Sequence, residues 1–249
     1  MTLLSFHQVG KSYPRAGVVF EPFDLEVDAG DFVGVFGERR SGKSTLLRLA
    51  AGIEMPDTGV VRFDGRDLAR MSEGERSALR RHDIGMATVS IDSAATLADR
   101  STSVVEYVAL PLIFQGRKQA DAINAAHHCL HMVGVSDCLN AAPFELRAGE
   151  TTRVALARAL VRKPRLLLVD EPAITHSPGE RDEIRDLLHA LSRDLRLTML
   201  VASEEVTMMA GVPRLLSVGN GKINSNDKPG TVVPLRSPRS ATGGKASDP

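Results

Sequence analysis

The amino-acid sequence predicts an α/β fold with a parallel-sheet core, and three features of the chain support this class. Residues 31–36 form an apolar, β-branched run typical of a buried strand, and residues 166–169 form a second such run. A glycine-containing loop joins the first run to an apolar helical stretch at 45–51. Buried strands that alternate with helices in this way are typical of α/β domains.

The chain before this loop predicts antiparallel β structure. Residues 3–9 alternate apolar and polar side chains, and residues 18–27 predict a second strand that is interrupted at Pro22. Between them, residues 10–17 predict a turn-rich loop. We therefore expect an antiparallel N-terminal β part beside the parallel core.

The sequence as a whole predicts one domain over residues 1–225. It also predicts an inserted helical subdomain at about 90–149 and a disordered tail over 226–249. The middle segment loses β-branched runs and gains helical periodicity, whereas the tail is rich in Ser, Pro, Gly and basic residues. Other predicted elements are a strand at 60–63, a helix capped by Ser72 and Glu75, a helix at 151–160, a helix at 180–196 and a strand at 198–202.

Composition argues against several classes of protein. Among 249 residues the formal net charge is zero and Trp is absent, so neither a bulk positive field nor a stacking platform for nucleic acid is expected. Cys129 and Cys138 lack metal-like spacing and suit a reducing compartment. Residues 1–7 do not fit a signal peptide, and no window has the apolar length of a membrane span.

The loop after the first buried run fits the phosphate-binding pattern of Gly, four residues, then Gly-Lys-Ser/Thr. Gly37 and Gly42 permit turns that a Cβ forbids, and the backbone N–H groups then point inward. Lys43 is expected to reach the β- and γ-phosphates of a nucleotide, and Ser44 to offer its hydroxyl to Mg²⁺. The alternative is a chance match in a glycine turn, expected on the order of 0.01 times in a chain of this length. The candidate nucleotide-binding residues here are Gly37, Glu38, Arg39, Arg40, Ser41, Gly42, Lys43, Ser44 and Thr45.

A pair of carboxylates follows the second buried run. Asp170 stands at the predicted carboxyl end of that strand, where ligands bind in open α/β sheets, and it is a second candidate Mg²⁺ ligand beside Ser44. Glu171 is placed to polarise an attacking water, which makes it, with Lys43, a candidate catalytic residue. The alternative is a strand that simply ends in an acidic turn.

Together with these two motifs, residues 146–160 resemble the signature of the nucleotide-binding domain of ABC transporters. The resemblance covers nearly all of residues 1–222 and implies a P-loop NTPase fold with a RecA-like parallel sheet. It also implies ATP and Mg²⁺ as ligands, a second nucleotide-binding domain across a dimer interface, and a membrane permease partner. The chain is then expected to be cytoplasmic and peripheral on the inner face of the membrane, and Tyr13 to stack on adenine.

Within the family, residues 104–112 and 66–86 are similar to the branch that handles lipoprotein release and macrolide export. The resemblance is incomplete at four places, and two of them concern the hydrolysis site. Val89 stands where the family has a Gln that helps to place Mg²⁺ and water, and Val offers neither a donor nor an acceptor. Ser203 stands where the family has a His that contacts the γ-phosphate.

The other two departures concern loops that the family uses across its dimer interface. Arg147 and Ala148 replace Ser and the first Gly of the signature. Arg147 either meets a phosphate or pairs with Glu145 or Glu150 on the surface, and pairing is favoured. In the segment 173–177 the family's aspartate is replaced by Ser177, and His176 is interpreted as a loop histidine in preference to a substitute polar contact.

Two further sets of residues are weighed and set aside. His127 and His131 share a helical face but lack a carboxylate partner in sequence, so a solvated face is favoured over a metal site. Arg39 and Arg40 either add charge near the phosphates or point to solvent.

The pattern leaves three hypotheses. They are an ATPase subunit of a transporter, a hydrolysis-poor partner in an asymmetric dimer, and a machine acting on nucleic acid. The last is disfavoured because the chain has no basic excess and no long heptads.

Overall fold

The computed structural model describes residues 1–15, 17–88, 102–173 and 176–226. Their strands, in chain order, are β1 (Thr2–Tyr13), β2 (Gly17–Asp28), β3 (Phe32–Phe36), β4 (Thr58–Phe63), β5 (Arg66–Asp67), β6 (Ile84–Thr88), β7 (Leu166–Asp170), β8 (Thr198–Ser203), β9 (Arg214–Gly219) and β10 (Lys222–Asn226). Their α-helices are α1 (Lys43–Ala50), α2 (Glu73–His82), α3 (Val104–Ile113), α4 (Gln119–Met132), α5 (Ala148–Leu160) and α6 (Pro178–Leu195).

The larger sheet has the strand order β10-β9-β3-β8-β7-β6. The pairs that link β9 through β6 are parallel, and β10 is an antiparallel edge strand. Strand β8 lies between β3 and β7, with Phe36 opposite Ser203 and Asp170 opposite Ala202. The carboxyl ends of these three strands therefore lie side by side, as expected for an α/β protein with a parallel core.

The smaller sheet, in the order β2-β1-β4-β5, is antiparallel and forms the predicted N-terminal β part. Two predictions about it need correction. Strand β2 continues through Pro22 instead of stopping there, but its pairing with β1 shifts register at that point, with Phe23 opposite Val9 and Phe20 opposite Lys11. An edge strand tolerates the missing N–H of Pro at such an irregularity. The expected loop at 10–17 is shorter, because β1 continues to Tyr13 and pairs it with Gly17.

Helix ends follow the capping residues. Ser72 and Glu75 form the predicted capping box of α2. Ser177 caps α6 in the same way with Glu180, so the serine that departs from the family pattern is a helix cap. Helix α6 accordingly begins slightly earlier than the predicted 180–196. The described part of the predicted helical subdomain, residues 102–149, contains α3, α4 and the start of α5.

The hydrophobic core has two parts, one on each face of the parallel sheet. On one face Leu166 and Leu168 of β7 pack with α1 and the antiparallel sheet. On the other face Leu167 and Val169 pack with the buried sides of helices α3 to α6. Burial of both faces explains the uninterrupted apolar run, and it confirms the prediction of a fully buried strand. Two segments, residues 89–101 and 227–249, lie outside the described residues. They include Val89 and nearly all of the predicted tail.

Candidate nucleotide site

The site is built around the loop between β3 and α1, and its two glycines have steric reasons to be there. A Cβ on Gly37 would collide with the carbonyl oxygen of Val218, which belongs to β9. Gly42 has φ +110°, and a Cβ there would lie 2.7 Å from Val19 Cγ1. The loop conformation therefore requires glycine at both ends. The helix that follows turns its first N–H groups back toward the loop.

Lys43 lies beneath this loop and is only 5% exposed. Its Nζ donates to the carbonyl oxygens of Gly37 (2.8 Å) and Glu38 (3.0 Å). It also forms an ion pair of 3.1 Å with Glu171 Oε1. A buried ammonium with three oxygen partners is well compensated, and a phosphate that approached the loop would meet this cation directly.

The remaining loop residues divide by exposure. Glu38, Arg39 and Arg40 are exposed, and Arg40 has a left-handed backbone with φ 64°. Ser41 Oγ, in contrast, is buried and has no partner among the described residues. Of the two interpretations of Arg39 and Arg40, the exposed one holds in this structure.

In the first turn of α1, Ser44 is half-buried and Thr45 is buried. Strand β7 brings Asp170 to the same edge of the sheet, and its Oδ1 is buried without a hydrogen-bond partner among the described residues. A lone buried carboxylate oxygen fits a cation, and oxygen ligands are those that Mg²⁺ prefers. Ser44 and Asp170 are thus the residues here that suit Mg²⁺, the remaining ligands being phosphate and water.

Glu171, the residue after β7, has a left-handed backbone with φ 48°. Its N–H donates to Ala202 O (2.9 Å), and its Oε2 accepts a hydrogen bond from the N–H of Glu204 (3.1 Å). The carboxylate is therefore fixed between Lys43 and the chain that follows β8. A non-glycine residue held in this strained backbone region is a frequent feature of functional sites.

Tyr13, at the end of β1, contacts the site from the antiparallel sheet. Its hydroxyl donates to the Glu54 carboxylate and lies 3.3 Å from Thr45 Oγ1. Burial, together with the hydrogen bond to Glu54, raises the pKa of Tyr13 above its usual value. Glu54 was not among the predicted site residues, and no sequence pattern marks it.

Ser203 ends β8 at the same edge and is 1% exposed. Its Oγ accepts a hydrogen bond from the Glu205 N–H at 3.1 Å, a capping contact within its own turn. A serine hydroxyl is neutral, so Ser203 supplies no positive charge to the site.

In the signature segment, Arg147 pairs with Glu150, with Nη2 2.5 Å from Oε1. Glu150 also accepts a hydrogen bond from the Arg147 N–H at 2.9 Å. The favoured interpretation, a surface ion pair, thus holds in this structure. The neighbouring Glu145, the other candidate partner, is a short-helix residue whose carboxylate accepts the N–H of Ala142.

His176 lies in a loop, as predicted, but the preference against a polar contact was wrong. The residue is 4% exposed, and its Nε2 lies 3.2 Å from Thr152 Oγ1 of α5. Thr152 Oγ1 in turn donates to Pro172 O at 3.0 Å. Burial lowers the pKa of His176 below its ordinary value. His176 thus links the segment after β7 to the signature helix. The contact joins two residues, His176 and Thr152, that are distant in sequence.

His127 and His131 are exposed on α4, and the described residues contain no cluster of His, Cys, Asp or Glu able to hold a metal ion. Across the described ranges, none of the helices is long and apolar enough to cross a membrane.

Comparison with known proteins shows the family of the chain. The family described as ABC transporter matches residues 20–174. The methionine import ATP-binding protein of Rhizobium etli is 36% identical over 202 residues, which cover 80% of this chain and 54% of that protein. The chain thus spans about half the length of the methionine import relatives it matches.

A second relative matches over nearly its whole length. The lipoprotein-releasing system ATP-binding protein of Oleidesulfovibrio alaskensis is 32% identical over 224 residues, covering 89% of this chain and 95% of that protein. The solved dimeric structure of a bacterial ABC transporter cassette superposes with a TM-score of 0.81 at 25% identity, over 92% of this chain and 100% of the cassette. The chain belongs to the ABC transporter family, and its fold is the P-loop NTPase fold of the family's ATP-binding cassettes.

Proposed function

We propose that this chain binds ATP with Mg²⁺ in the loop after β3 and hydrolyses it to drive a membrane permease. One observation carries the proposal. Lys43, buried beneath a loop that requires glycine at both ends, forms an ion pair with Glu171 at the end of β7. The residue for phosphate and the residue for water are thus in direct contact, although 128 positions separate them along the chain (171 less 43).

Binding uses the chain's own groups in defined roles. The N–H groups of the loop and of the start of α1 face the phosphates, and Lys43 pairs with them as a cation. Ser44 and Asp170 hold Mg²⁺, which neutralises charge on the phosphate oxygens. Tyr13 offers a ring face to adenine, supported by its position at the end of β1 beside Thr45.

Hydrolysis depends on Glu171, whose carboxylate is fixed by Lys43 and by the Glu204 N–H. In this role it accepts a proton from, or orients, the water that attacks the γ-phosphate. We propose that the reaction is slow. Ser203 supplies no charge to that phosphate, and Val89 has no polar group to place water.

The partners follow from the family. A second nucleotide-binding domain would complete the site, and a permease would hold the pair at the cytoplasmic face of the membrane. The relatives compared above are named for methionine import and for lipoprotein release.

A hydrolysis-poor subunit in an asymmetric dimer is the second candidate. Two observations favour it: the engaged Ser203 hydroxyl and the Arg147–Glu150 pair at the start of the signature helix. The retained Glu171 favours hydrolysis instead.

The test of the proposal is nucleotide binding by the purified chain. Binding is measured by the fluorescence of a labelled ATP analogue, with and without Mg²⁺. We expect binding that Mg²⁺ strengthens, and absence of binding would overturn the proposal. Copurification of the tagged chain with a different nucleotide-binding subunit would select the asymmetric dimer, whereas a homodimer that turns over ATP would select the first candidate.

A further inference from the structure

Glu54, whose carboxylate accepts the Tyr13 hydroxyl, lies just after α1 and has no part in the phosphate-loop motif. Its backbone N–H donates to the carbonyl oxygen of Arg48 in α1 at 3.3 Å. Tyr13 contacts Oε2 of the carboxylate, and the other oxygen, Oε1, lies 3.4 Å from Arg48 Nη1. Both carboxylate oxygens of Glu54 are therefore engaged, and helix α1 holds the side chain that meets Tyr13.

The Tyr13 ring is fixed at its hydroxyl end by contacts at both ends of α1. The hydroxyl donates to Glu54, which follows the helix, and lies 3.3 Å from Thr45 Oγ1 in its first turn. Burial and the hydrogen bond to Glu54 raise the pKa of Tyr13, so the hydroxyl stays protonated and donates. Because α1 also begins at the phosphate loop, one helix holds both that loop and the ring.

A second carboxylate from the same loop anchors the end of β1. Asp57 accepts hydrogen bonds from the Ser12 N–H at 2.7 Å and from Ser12 Oγ at 2.9 Å. Its other oxygen forms an ion pair of 3.1 Å with Lys11 Nζ. These hydrogen bonds lower the pKa of Asp57, which keeps the carboxylate ionised. The loop 54–57 thus holds the last three residues of β1 through its two acidic side chains.

A cation lies over one face of the Tyr13 ring. Lys11 Nζ is 5.4 Å from the ring centre, and it donates to the carbonyl oxygen of Met55 at 2.9 Å. A flat base would therefore stack on the opposite face of the ring. Because the ring is held at its hydroxyl, at its backbone and on one face, it is preorganised, and little conformational freedom is lost when a base binds.

We propose that Glu54 is a positioning residue for nucleotide recognition: it holds the Tyr13 ring where the base of a nucleoside triphosphate stacks, and it ties that place to the phosphate loop through α1. Asp57 is the second positioning residue and acts on the same ring through the end of β1. The inference rests on the proposed function, since it requires a nucleotide in the loop after β3. A ligand made of phosphates alone has no base to stack, so its binding should not depend on Glu54.

The test compares the affinities of the purified full chain for ATP and for inorganic tripolyphosphate, each with Mg²⁺, by titration calorimetry. Glu54→Ala should lower the affinity for ATP by about 5-fold or more and leave the affinity for tripolyphosphate unchanged. Glu54→Gln keeps an oxygen that accepts the Tyr13 hydroxyl, so it should lose less affinity for ATP than the Ala variant.

Glu183→Gln is the matched control and should leave both affinities unchanged. Glu183 also pairs with an arginine, at 3.0 Å from Arg153 Nη2, but it belongs to α6. That helix packs on the face of the parallel sheet opposite to α1.

A double-mutant cycle provides a second measurement. Tyr13→Phe keeps the ring and removes the hydroxyl, so Glu54→Ala should cost little further affinity for ATP in that background. Should the Glu54→Ala chain fail to fold, Asp57→Ala replaces it, because it releases the end of β1. It should lower the affinity for ATP in the same direction and leave tripolyphosphate binding unchanged.

Three results would overturn the inference. These are an unchanged affinity for ATP in Glu54→Ala, an equal loss of affinity for ATP and tripolyphosphate, and additive losses in the cycle with Tyr13→Phe. An equal loss for the two ligands would mean that Glu54 supports the phosphate loop and not the ring. If the wild-type chain binds ATP and any of these results is found, this inference fails while the proposed function stands. A wild-type chain that binds no ATP would overturn both.

Discussion

The Lys43 ammonium and the Glu171 carboxylate form an ion pair of 3.1 Å, with the two side chains 5% and 20% exposed. The pair joins the loop after β3 to the end of β7 across the intervening strand β8. We infer that a phosphate of a bound nucleotide would replace the Glu171 carboxylate as the anion paired with Lys43. Glu171 would then be free to contact water. Such an exchange would keep the buried cation paired throughout.

Lys43→Ala should abolish ATP binding, because it removes the buried cation that faces the phosphates, a contact worth several kcal/mol, roughly 100-fold or more in affinity. The measurement is equilibrium binding of a fluorescent ATP analogue. Arg117→Ala is the control, since Arg117 is an exposed cation distant from the loop. Unchanged affinity in the Lys43 variant would contradict the site assignment.

Glu171→Gln should prolong the life of an ATP-bound dimer, because the amide keeps the shape of the side chain but cannot accept the proton of water. Light scattering measures the lifetime of the dimer, and single-turnover hydrolysis measures the rate of the chemical step. Glu204→Gln is the control, because Glu204 contacts Glu171 through its backbone N–H and its own carboxylate takes no part in the ion pair with Lys43. If wild type and the Glu171 variant dissociate and hydrolyse alike, Glu171 is idle and the asymmetric-dimer hypothesis gains.

Turnover by the wild-type chain should fall well below the ~1–10³ s⁻¹ usual for enzymes, although ATP binds with ordinary strength. Loss of one preorganised contact of the kind absent at Val89 and Ser203 typically costs about 100-fold in rate. Val89→Gln together with Ser203→His should raise turnover more than either change alone, because the two groups act as a unit. A wild-type homodimer hydrolysing ATP at an ordinary enzyme rate would defeat this prediction.

Gly37→Ala should destabilise the protein by about 1–3 kcal/mol, because the added methyl group collides with the backbone carbonyl of Val218, which cannot move as a side chain would. Urea unfolding measures the change. Gly179→Ala is the matched control, since nothing lies within 4 Å of a Cβ at that position. Equal midpoints for the two variants would show that the loop is not packed against β9.

Acidification should reveal the burial of His176. Because its pKa is lowered in the folded chain, the unfolded chain binds its proton more tightly. The stability contributed by the neutral ring is complete above the unfolded pKa of about 6.5 and is lost as the pH falls through the folded value. Replacement by Gln should therefore flatten the dependence of unfolding free energy on pH below neutrality. His127→Gln, at an exposed position, should leave the dependence as in wild type; the same flattening there would refute this account.

Much of the fold could be predicted because its signals are local. The apolar run at 166–169 is uninterrupted because both faces of β7 are covered, and the Ser72–Glu75 spacing places the start of α2. The phosphate loop is marked by its own glycines. Pro22 misled the prediction, since the sequence does not say that β2 is an edge strand, where a missing N–H costs nothing.

The sequence by itself determined the α/β class, the phosphate loop and the acidic end of β7, because each depends on neighbours within one strand, turn or helix. Tertiary structure alone decided that Lys43 contacts Glu171, that Tyr13 contacts Glu54, and that His176 is buried against Thr152. These contacts join residues far apart in sequence, and their energies come from burial and charge pairing that exist only once the sheet and helices have packed.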